Sequence, residues 1–331
     1  MAQSSEYEVL GIGNAIVDVL SHEDDAFITA NGLDKGGMML IDADRATALY
    51  GKMGPGVEIS GGSAANTLAG FNSLGGRGAY IGKVADDQLG QVFAHDLRAA
   101  GVHYDTAPLT GGLPTARCLI AITPDAQRTM STFLGATTQL TKADVQDDLV
   151  AAARVTYLEG YLFDPPEAKE AFAHAAEVAH ANKRDVALTL SDTFCVERHR
   201  ASFLHLVENH IDILFANEAE ICALYETDDF EKAMAAVRGH CEIACLTRSE
   251  KGSVVLDANR VYEVPAEPVD QVVDTTGAGD LYAAGYLFGH VRGYDPADSA
   301  RIGALAAAEI ISHVGARPEA DLAQLVRSKL G

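Results

Sequence analysis

From about residue 141 onward, the sequence alternates between short apolar segments and longer amphipathic ones. The apolar segments have the length of buried strands, and the segments between them repeat their apolar residues with helical spacing. The strand-like segments are 155–162, 186–191, 211–215, 243–247 and 253–257, and the helix-like segments are 141–152, 165–182, 197–209, 217–225 and 229–239. This alternation predicts an α/β fold in which a parallel sheet carries helices on both faces, in three layers.

The N-terminal part of the chain contains extra strand-like segments that interrupt this alternation. They are 15–20, 37–41, 57–60 and a hairpin within 113–135. Strands that interrupt a βα pattern usually leave the main sheet, so we expect them to form a small β-lid made by insertions. The linkers are short and no internal repeat is present. The sequence therefore predicts one domain over residues 1–331, with the lid built into it.

Charge and composition exclude several classes of partner. The chain has 25 basic and 47 acidic residues, and its formal net charge is −22. Such a surface repels nucleic acid and anionic lipid, so neither is expected as a partner. The five cysteines form no CxxC pair, Met1–Glu6 shows no signal peptide, and no apolar run approaches ~18 residues. These features predict a cytoplasmic protein with reduced thiols and no membrane span.

A glycine-rich turn lies near the C-terminal end, in the stretch Asp274–Asp280. Val269–Val273 before it has the composition of a short strand, and Leu281–Val291 after it resembles a closely packed helix. Free N–H groups and the helix dipole at such a helix start form a site for an anion such as a phosphate. Asp280 would repel that anion, which is reasonable if its carboxylate accepts a proton from an attacking hydroxyl. The alternative is an ordinary first-turn acid after an ordinary turn.

Three other features are candidates for ligand contacts. Asp18 is a single acid in an apolar, strand-like run, so it either contacts a ligand hydroxyl or occupies an exposed position on the opposite face. Gly61 and Gly62 precede a helix whose Asn66 offers both a donor and an acceptor, although a tight turn with close packing explains the glycines equally well. Arg128 in the lid hairpin could reach a transferring phosphoryl group, or it could be a solvated charge.

The sequence lacks the motifs of several other classes of enzyme. The segment Gly11-Ile12-Gly13 has Ile16 where a dinucleotide fingerprint needs its third glycine. Gly82-Lys83 lacks the remaining residues of a P-loop, and the sequence contains neither HExxH nor GxSxG. These absences argue against a dehydrogenase, a metal hydrolase and a serine hydrolase.

The sequence Asp-Thr-Thr-Gly-Ala-Gly-Asp closely resembles the signature of the ribokinase-like (PfkB) family of carbohydrate and nucleoside kinases. The similarity extends from Gly11 to about Pro318, with the motifs in family order. It implies a ribokinase-like three-layer α/β/α fold, ATP and Mg²⁺ as cofactors, and a monovalent cation such as K⁺. It also implies an anion hole formed by Gly277, Ala278 and Gly279, with Asp280 as catalytic base.

The resemblance gives a role to two further segments. Asn217-Glu218-Ala219-Glu220 is similar to the family's NxxE motif, which implies that Asn217 and Glu220 organise magnesium and its waters near the phosphates. From local sequence alone, the same residues could simply cap a helix. The segment 247–252 is similar to the nucleotide loop, which implies that Thr247, Ser249 and Gly252 contact ATP. From local sequence alone, the segment 247–252 is an ordinary hairpin turn.

Within the family, the chain looks most like the branch that phosphorylates adenosine to AMP. By analogy, the ribose hydroxyls would be held by Asn14, Asp18, Gly62 and Asn66, and Phe194 would lie beside the adenine. Gly160 is followed by Tyr161-Leu162-Phe163, whereas the adenosine enzymes have two consecutive phenylalanines there. A sugar kinase acting on ribose or fructose therefore stays open as the alternative, as does a non-catalytic nucleotide- or sugar-binding regulator. A monomer or homodimer is expected.

Overall fold

A computed structural model describes residues 7–125 and 127–330 of the chain. These residues form one large sheet and one small sheet. The N-terminal segment Met1–Glu6, from which the absence of a signal peptide was predicted, lies outside the described residues.

The strands, in chain order, are β1 (Val9–Ile12), β2 (Ile16–His22), β3 (Met38–Leu40), β4 (Gly56–Gly61), β5 (Gly78–Ile81), β6 (His103–Tyr104), β7 (Ala116–Ile122), β8 (Arg128–Phe133), β9 (Val155–Glu159), β10 (Asp185–Thr189), β11 (Ile213–Asn217), β12 (Ile243–Thr247), β13 (Ser253–Asp257) and β14 (Val261–Val264). The helices are α1 (Asp25–Ala30), α2 (Ala43–Tyr50), α3 (Ser63–Ser73), α4 (Gln88–Ala99), α5 (Asp147–Ala152), α6 (Pro166–Ala181), α7 (Thr193–Asn209), α8 (Glu218–Leu224), α9 (Phe230–Val237), α10 (Ala278–Val291), α11 (Pro296–Ile310) and α12 (Leu322–Leu330).

The large sheet has the strand order β14-β13-β12-β11-β10-β9-β1-β5-β6. All neighbouring strands from β12 to β6 pair in parallel. Strand β13 runs in the opposite direction and pairs antiparallel with both β12 and β14. Alternate strand residues contribute to two apolar cores, one under α5–α9 and the other under α3, α4 and α10–α12. The predicted fold class, a parallel α/β sheet between two helical layers, is therefore confirmed.

The small sheet has the order β3-β8-β7-β2-β4. One face packs against α2 through a cluster centred on Val19, Leu49 and Leu119. The register places two rows of side chains across all five strands on the opposite face. One row is Leu40, Thr132, Cys118, Asp18 and Ile59, and the next is Met38, Met130, Ile120, Leu20 and Val57. Asp18 thus lies within a mainly apolar surface, which we call the inner face of the lid.

Some element boundaries differ from the predictions for identifiable reasons. The predicted helix 141–152 is split, because Thr141 and Asp144 form a capping box around a short 3₁₀ turn and α5 starts only at Asp147. Helix α7 begins before residue 197, since the Asp192 side chain accepts the Cys195 N–H as its N-terminal cap. The predicted strand 155–162 ends at Glu159, where a 3₁₀ turn takes over.

The predicted strand Val269–Val273 is wrong. The segment pairs with no strand among the described residues, and its valines at 272 and 273 are exposed. Its end is held by the Val273 N–H, which donates to the Ile311 carbonyl at 2.8 Å. The glycine turn is therefore entered from an extended segment packed on the end of α11. Because no neighbouring strand lies there, the apolar pattern alone cannot produce a ladder.

Close packing fixes the position of α10. A Cβ added to Gly285 would lie 2.6 Å from Gly303 Cα in α11. This glycine contact lets the two helices approach closely and sets where the first turn of α10 emerges. The described residues contain no helix long and apolar enough to cross a membrane. Cys118, Cys195, Cys222, Cys241 and Cys245 are free thiols in the structure.

Candidate active site

The candidate residues gather at one edge of the large sheet. Parallel strands β1, β9, β10, β11 and β12 all end at this edge, where open α/β sheets place their ligands. The inner face of the lid stands opposite. Arg128 at the start of lid strand β8 hydrogen-bonds to Asp274 and Thr276 in the turn before α10, so the lid and the sheet edge border a common cleft.

The start of α10 has the features of an anion site. Gly277 precedes the helix with φ of 80°, a left-handed conformation that favours glycine, and among the described residues no side chain caps the helix. The Ala278 N–H donates to Thr275 at 3.2 Å, whereas the N–H groups of Gly279 and Asp280 have no acceptor within the helix. A Cβ added at Gly279 would meet no atom within 4 Å. An anion therefore has open access to this helix end.

Asp280 is held by two side chains of α3. Ser63 Oγ donates to its Oδ1 at 2.6 Å, and Asn66 Nδ2 donates to its Oδ2 at 3.0 Å. Burial raises the pKa of Asp280 above its ordinary value, while these hydrogen bonds and the charge of Arg317 limit the increase. The buried Asn66 Oδ1 has no hydrogen-bond partner among the described residues. A carboxylate oriented in this way can receive a proton without having to move.

Asp18 faces the cleft with a carboxylate to which no described residue donates a hydrogen bond. A Cβ on Gly61 would overlap that carboxylate, and one on Gly62 (φ 93°) would overlap the Asn14 carbonyl. Gly61 therefore lets the Asp18 carboxylate pack against the β4 backbone, and Gly62 lets the loop after β1 approach closely. Burial raises the pKa of Asp18 to about 6, although Arg317 and Arg128 oppose the increase. An unsatisfied acceptor in a cleft suits a ligand that brings its own hydroxyl donors.

Arg128 joins the lid to the glycine turn. Its Nη1 donates to Asp274 Oδ2 and to Thr276 Oγ1, both at 2.6 Å. Burial alone would raise the pKa of Asp274, but hydrogen bonds from Gly315 and Thr276 and the Arg128 charge lower it. The guanidinium thus stands at the turn that leads into the anion site, rather than in solvent.

Asn14 faces inward to a buried acid, Glu159. Its Nδ2 and backbone N–H donate to Glu159 Oε1 at 2.9 and 3.2 Å, and its Oδ1 accepts from Thr137 Oγ1 at 3.0 Å. The Ala64 N–H donates to the other Glu159 oxygen at 2.7 Å, at the start of α3. Glu159 therefore caps the helix that carries Ser63 and Asn66 and fixes the loop after β1. Burial raises its pKa to about 7.

The raised pKa of Glu159 predicts a specific pH dependence of stability. Its folded pKa, about 7, lies above its ordinary value of 4.5. Between these pH values the folded chain holds the proton more tightly, so the contribution of Glu159 to stability is largest below pH 4.5 and falls as pH rises through 7. The change amounts to about 3 kcal/mol. Relative to the wild type, Glu159→Gln should gain roughly that much free energy of unfolding between pH 5 and 8 in urea titrations.

Glu177→Gln is the matched control for this prediction, because Glu177 is an exposed acid on α6. Its free energy of unfolding should follow the wild type over the same pH range. If Glu159→Gln also followed the wild type, the carboxyl group would be ionised throughout and the account of its burial would be wrong.

Asn217 and Glu220 form a capping box at the start of α8. Asn217 Oδ1 accepts the Glu220 N–H, and both Glu220 oxygens accept from Asn217, at 3.0 Å from N and 2.6 Å from Nδ2. These two residues therefore cap α8, which the local sequence also allowed. Burial raises the pKa of Glu220 to about 7, and the charges of Asp192 and Asp280 add to the increase. No group of three acidic, histidine or cysteine residues in 7–125 and 127–330 could hold a metal ion directly.

The segment 247–252 is a hairpin between antiparallel β12 and β13. Ser249 and Gly252 have positive φ values, 52° and 86°, and Thr247 ends β12. The basic side chains of the loop are paired with Glu218: Arg248 lies 3.1 Å and Lys251 3.5 Å from its carboxylate. Thr247, Ser249 and Gly252 therefore present mainly hydroxyls and backbone at the sheet edge.

Two aromatic side chains lie after β9 and β10. Phe194 is 53% exposed at the start of α7, with the Arg198 guanidinium 4.1 Å from its ring centre. Tyr161 is 37% exposed. Burial raises its pKa, as do the nearby charges of Asp192, Asp280 and Glu220. The Tyr161 side chain thus lies near the carboxylates of Asp192, Asp280 and Glu220.

Sequence reasoning missed Glu159 and Arg317. A signal for Glu159 existed, since an acid ends an otherwise apolar buried strand directly before Gly160. No local pattern marks Arg317, which reaches Ser60 and Ala65 from more than 250 residues away.

The chain is similar over most of its length to several known proteins. The solved structure of adenosine kinase from Sinorhizobium meliloti is 54% identical, with a TM-score of 0.91, and the match covers 98% of this chain and 99% of that one. A probable sugar kinase protein from Rhizobium etli CFN 42 is 49% identical, with a TM-score of 0.91 and 98% of each chain covered. The adenosine kinase of Saccharomyces cerevisiae is 25% identical over 326 residues, 92% of this chain and 94% of its own.

The family described as pfkB family carbohydrate kinase matches residues 36–322, which is most of the chain. The match includes the glycine turn, the lid hairpin and Asp280. The resemblance seen in the sequence is therefore confirmed, and with it a ribokinase-like fold and kinase activity. The chain belongs to the pfkB family of carbohydrate kinases.

Proposed function

We propose that this kinase transfers the γ-phosphoryl group of ATP to the 5′-hydroxyl of a nucleoside, and that the nucleoside is adenosine, giving AMP. The observation that carries the nucleoside assignment is the apolar inner face of the lid beside Asp18. Its edge side chains Met38, Leu40, Val57 and Ile59 are between 37% and 64% exposed.

This surface suits a nucleobase better than a free sugar. Leu40 and Ile59 lie in the same cross-strand row as Asp18, so a ligand bound to Asp18 through hydroxyls extends over apolar side chains. A free sugar carries hydroxyls around its ring and would leave them unpaired there. A nucleoside has hydroxyls at one end and a flat apolar ring at the other, which matches the two parts of the surface. Phe194 is the proposed contact on the other side of the base.

The proposed chemistry follows from the positions of the charged groups. Asp18 accepts hydrogen bonds from the ribose hydroxyls, and Gly61 and Gly62 let the backbone of β4 come close beside them. Asp280 accepts the proton of the 5′-hydroxyl as its oxygen bonds to the γ-phosphorus, and the bond to the β,γ-bridging oxygen breaks to release ADP. The N–H groups at Gly277–Gly279 hold the transferring oxygens. Arg128, already at the turn, offsets their charge.

The remaining polar residues act behind this site or beside ATP. We propose that Asn66 orients Asp280, that Asn14 fixes the loop after β1, and that Thr247, Ser249 and Gly252 contact the nucleotide. Magnesium supplies positive charge to the phosphates when it is bound, and Asn217 and Glu220 would hold it through its waters. The residues fit this role, because the charges of Asp192, Glu220 and Asp280 are close together and a cation would relieve their repulsion.

The relatives support both the proposal and its alternative. The adenosine kinase of Sinorhizobium meliloti favours adenosine, whereas the probable sugar kinase of Rhizobium etli favours a sugar. Tyr161 favours a sugar substrate, because it follows Gly160 at a position where the adenosine enzymes have phenylalanine, and its hydroxyl makes the site more polar. Ribose and fructose are therefore the sugars to compare.

A substrate comparison tests the proposal. Burying about 100 Å² of the base would contribute about 2.5 kcal/mol, so kcat/KM for adenosine should exceed that for ribose or fructose by about 100-fold. ADP release with each acceptor at fixed ATP and Mg²⁺ gives the ratio. Leu40→Ser should lower kcat/KM for adenosine but not for ribose, whereas Met39→Ser, on the opposite lid face, should leave both unchanged. A ratio that favours either sugar would replace the nucleoside assignment.

A further inference from the structure

Arg317 connects the lid to the helix that holds Asp280. It lies in the segment after α11, and its Nη1 donates to the Ala65 carbonyl in α3 at 2.6 Å. Its Nη2 donates to the Ser60 carbonyl at 3.2 Å and to Ser60 Oγ at 3.0 Å, in β4 at the edge of the lid. One planar guanidinium thus reaches acceptors on both walls of the cleft, which a lysine ammonium could not match in geometry.

The same guanidinium lies near both functional acids. It is the main opposing charge for Asp18, and it also acts on Asp280. The effect is reciprocal: burial lowers the pKa of Arg317 to about 10, and Asp18 and Asp280 are the two charges that most oppose the decrease. Asp96 and Tyr80 also face Arg317.

The acids need such a cation because other negative groups surround them. Carboxyl groups that interact with Asp280 come from three elements: Asp18 in β2, Glu159 in β9 and Glu220 in α8. The hydroxyls of Tyr157 and Tyr161 also lie near Asp280, but burial raises their pKa and keeps them neutral. On the positive side, Asp18 interacts with Arg128 and Arg317. Arg128 is hydrogen-bonded to Asp274 and Thr276, so the Asp274 carboxylate partly neutralises its charge. Within 7–125 and 127–330, the hydrogen-bond acceptors of Arg317 are the uncharged Ala65 carbonyl, Ser60 carbonyl and Ser60 Oγ, so no ion pair there competes with Asp18 and Asp280 for its charge.

We propose that Arg317 is a positioning residue that keeps Asp18 and Asp280 ionised at the same time and fixes the lid edge against α3, so that both carboxylates act on one substrate. This inference rests on the proposed phosphoryl transfer to a hydroxyl. Arg317 itself touches no reacting atom, and it acts through the two acids. Without its charge, one of the two carboxylates would take up a proton at a pH where the wild type keeps both ionised.

The test compares Arg317→Gln, Arg317→Lys and the wild type in the pH dependence of kcat/KM. For Arg317→Gln we expect the acid limb to move to higher pH by about 1 or more, the size of the effect when a carboxylate loses an adjacent arginine. Arg317→Lys keeps the charge, so its acid limb should stay near that of the wild type while KM rises. Arg292→Gln is the matched control, because Arg292 is also part-buried and bonded to backbone carbonyls, at Phe288 and Gly75.

A second measurement keeps the inference independent of activity. Carbon-13 NMR titration of the aspartate carboxyl carbons, assigned with Asp18→Asn and Asp280→Asn, should show both groups titrating at higher pH in Arg317→Gln. Identical titration curves and identical pH profiles in Arg317→Gln and wild type would reduce Arg317 to a structural link. If the wild type phosphorylated no nucleoside or sugar, the proposed function would fail, while the NMR titration would still decide the role of Arg317.

Discussion

Asp280→Asn is expected to lower kcat by about 10²- to 10⁴-fold, the range for removing a general base. The change should leave the fold intact, because asparagine has the same shape and Ser63 can still donate to its carbonyl oxygen. Asn66 has an unpartnered Oδ1 and can turn its amide to accept from the new NH₂ group. The loss should therefore appear in kcat measured at saturating adenosine and ATP, while adenosine affinity measured by calorimetry changes little.

The matched control is Asp298→Asn in the first turn of α11. Asp298 has the same position in its helix as Asp280, but it is exposed and lies near Arg301. Its replacement should leave kcat unchanged. Turnover of Asp280→Asn within about threefold of the wild type, with correct folding, would remove Asp280 from the role of base.

The second large effect is expected at Asp18. Asp18→Ala should raise KM for adenosine by about 10²- to 10⁴-fold, because two hydrogen bonds from ribose hydroxyls to a charged acceptor are together worth about 3 to 6 kcal/mol. In the wild type, KM should also rise as pH falls below about 6, where burial has placed the pKa of the Asp18 carboxyl. A protonated carboxyl accepts these hydrogen bonds less well.

Deoxynucleosides distinguish a direct contact from a general disturbance of the lid. 2′-Deoxyadenosine and 3′-deoxyadenosine should be much poorer substrates than adenosine for the wild type, but nearly equal to it for Asp18→Ala. Glu58→Ala is the control, since Glu58 is on the opposite face of the lid and bonds to Tyr50. If Asp18→Ala raised KM less than about fivefold, the ribose contact would have to lie elsewhere.

The main sheet was predictable because its strands are buried on both faces. Such strands read as continuous apolar runs, and β9 to β12 were all found this way. The lid strands were also visible, since one face of each is apolar. The segment 269–273 also contains several valines, yet it packs on the end of α11 and forms no strand. Composition alone does not report whether a pairing partner is present.

The site was only partly predictable, because sequence motifs mark local backbone features and not distant pairings. The glycine turn and Asp280 form one continuous stretch, so their juxtaposition was predicted. The hydrogen bonds of Ser63 and Asn66 to Asp280 join residues more than 210 positions apart. Glu159 and Arg317 act through similar long-range contacts, and only the folded chain reveals them. The predicted contact of Asn66 with ribose stays a prediction, and the folded chain adds that its Nδ2 donates to Asp280.

The most direct test of the central claim is the position of the phosphate in the product. Adenosine and ATP are incubated with the wild-type protein and Mg²⁺, and the product is analysed by phosphorus-31 NMR. The proposed transfer to the 5′-hydroxyl predicts one new phosphomonoester signal that is coupled to the two 5′ protons of adenosine. The signal should form with one ADP for each AMP and should be strongly reduced with Asp280→Asn. A phosphate on any other oxygen, or release of ADP without a nucleotide product, would contradict this proposal.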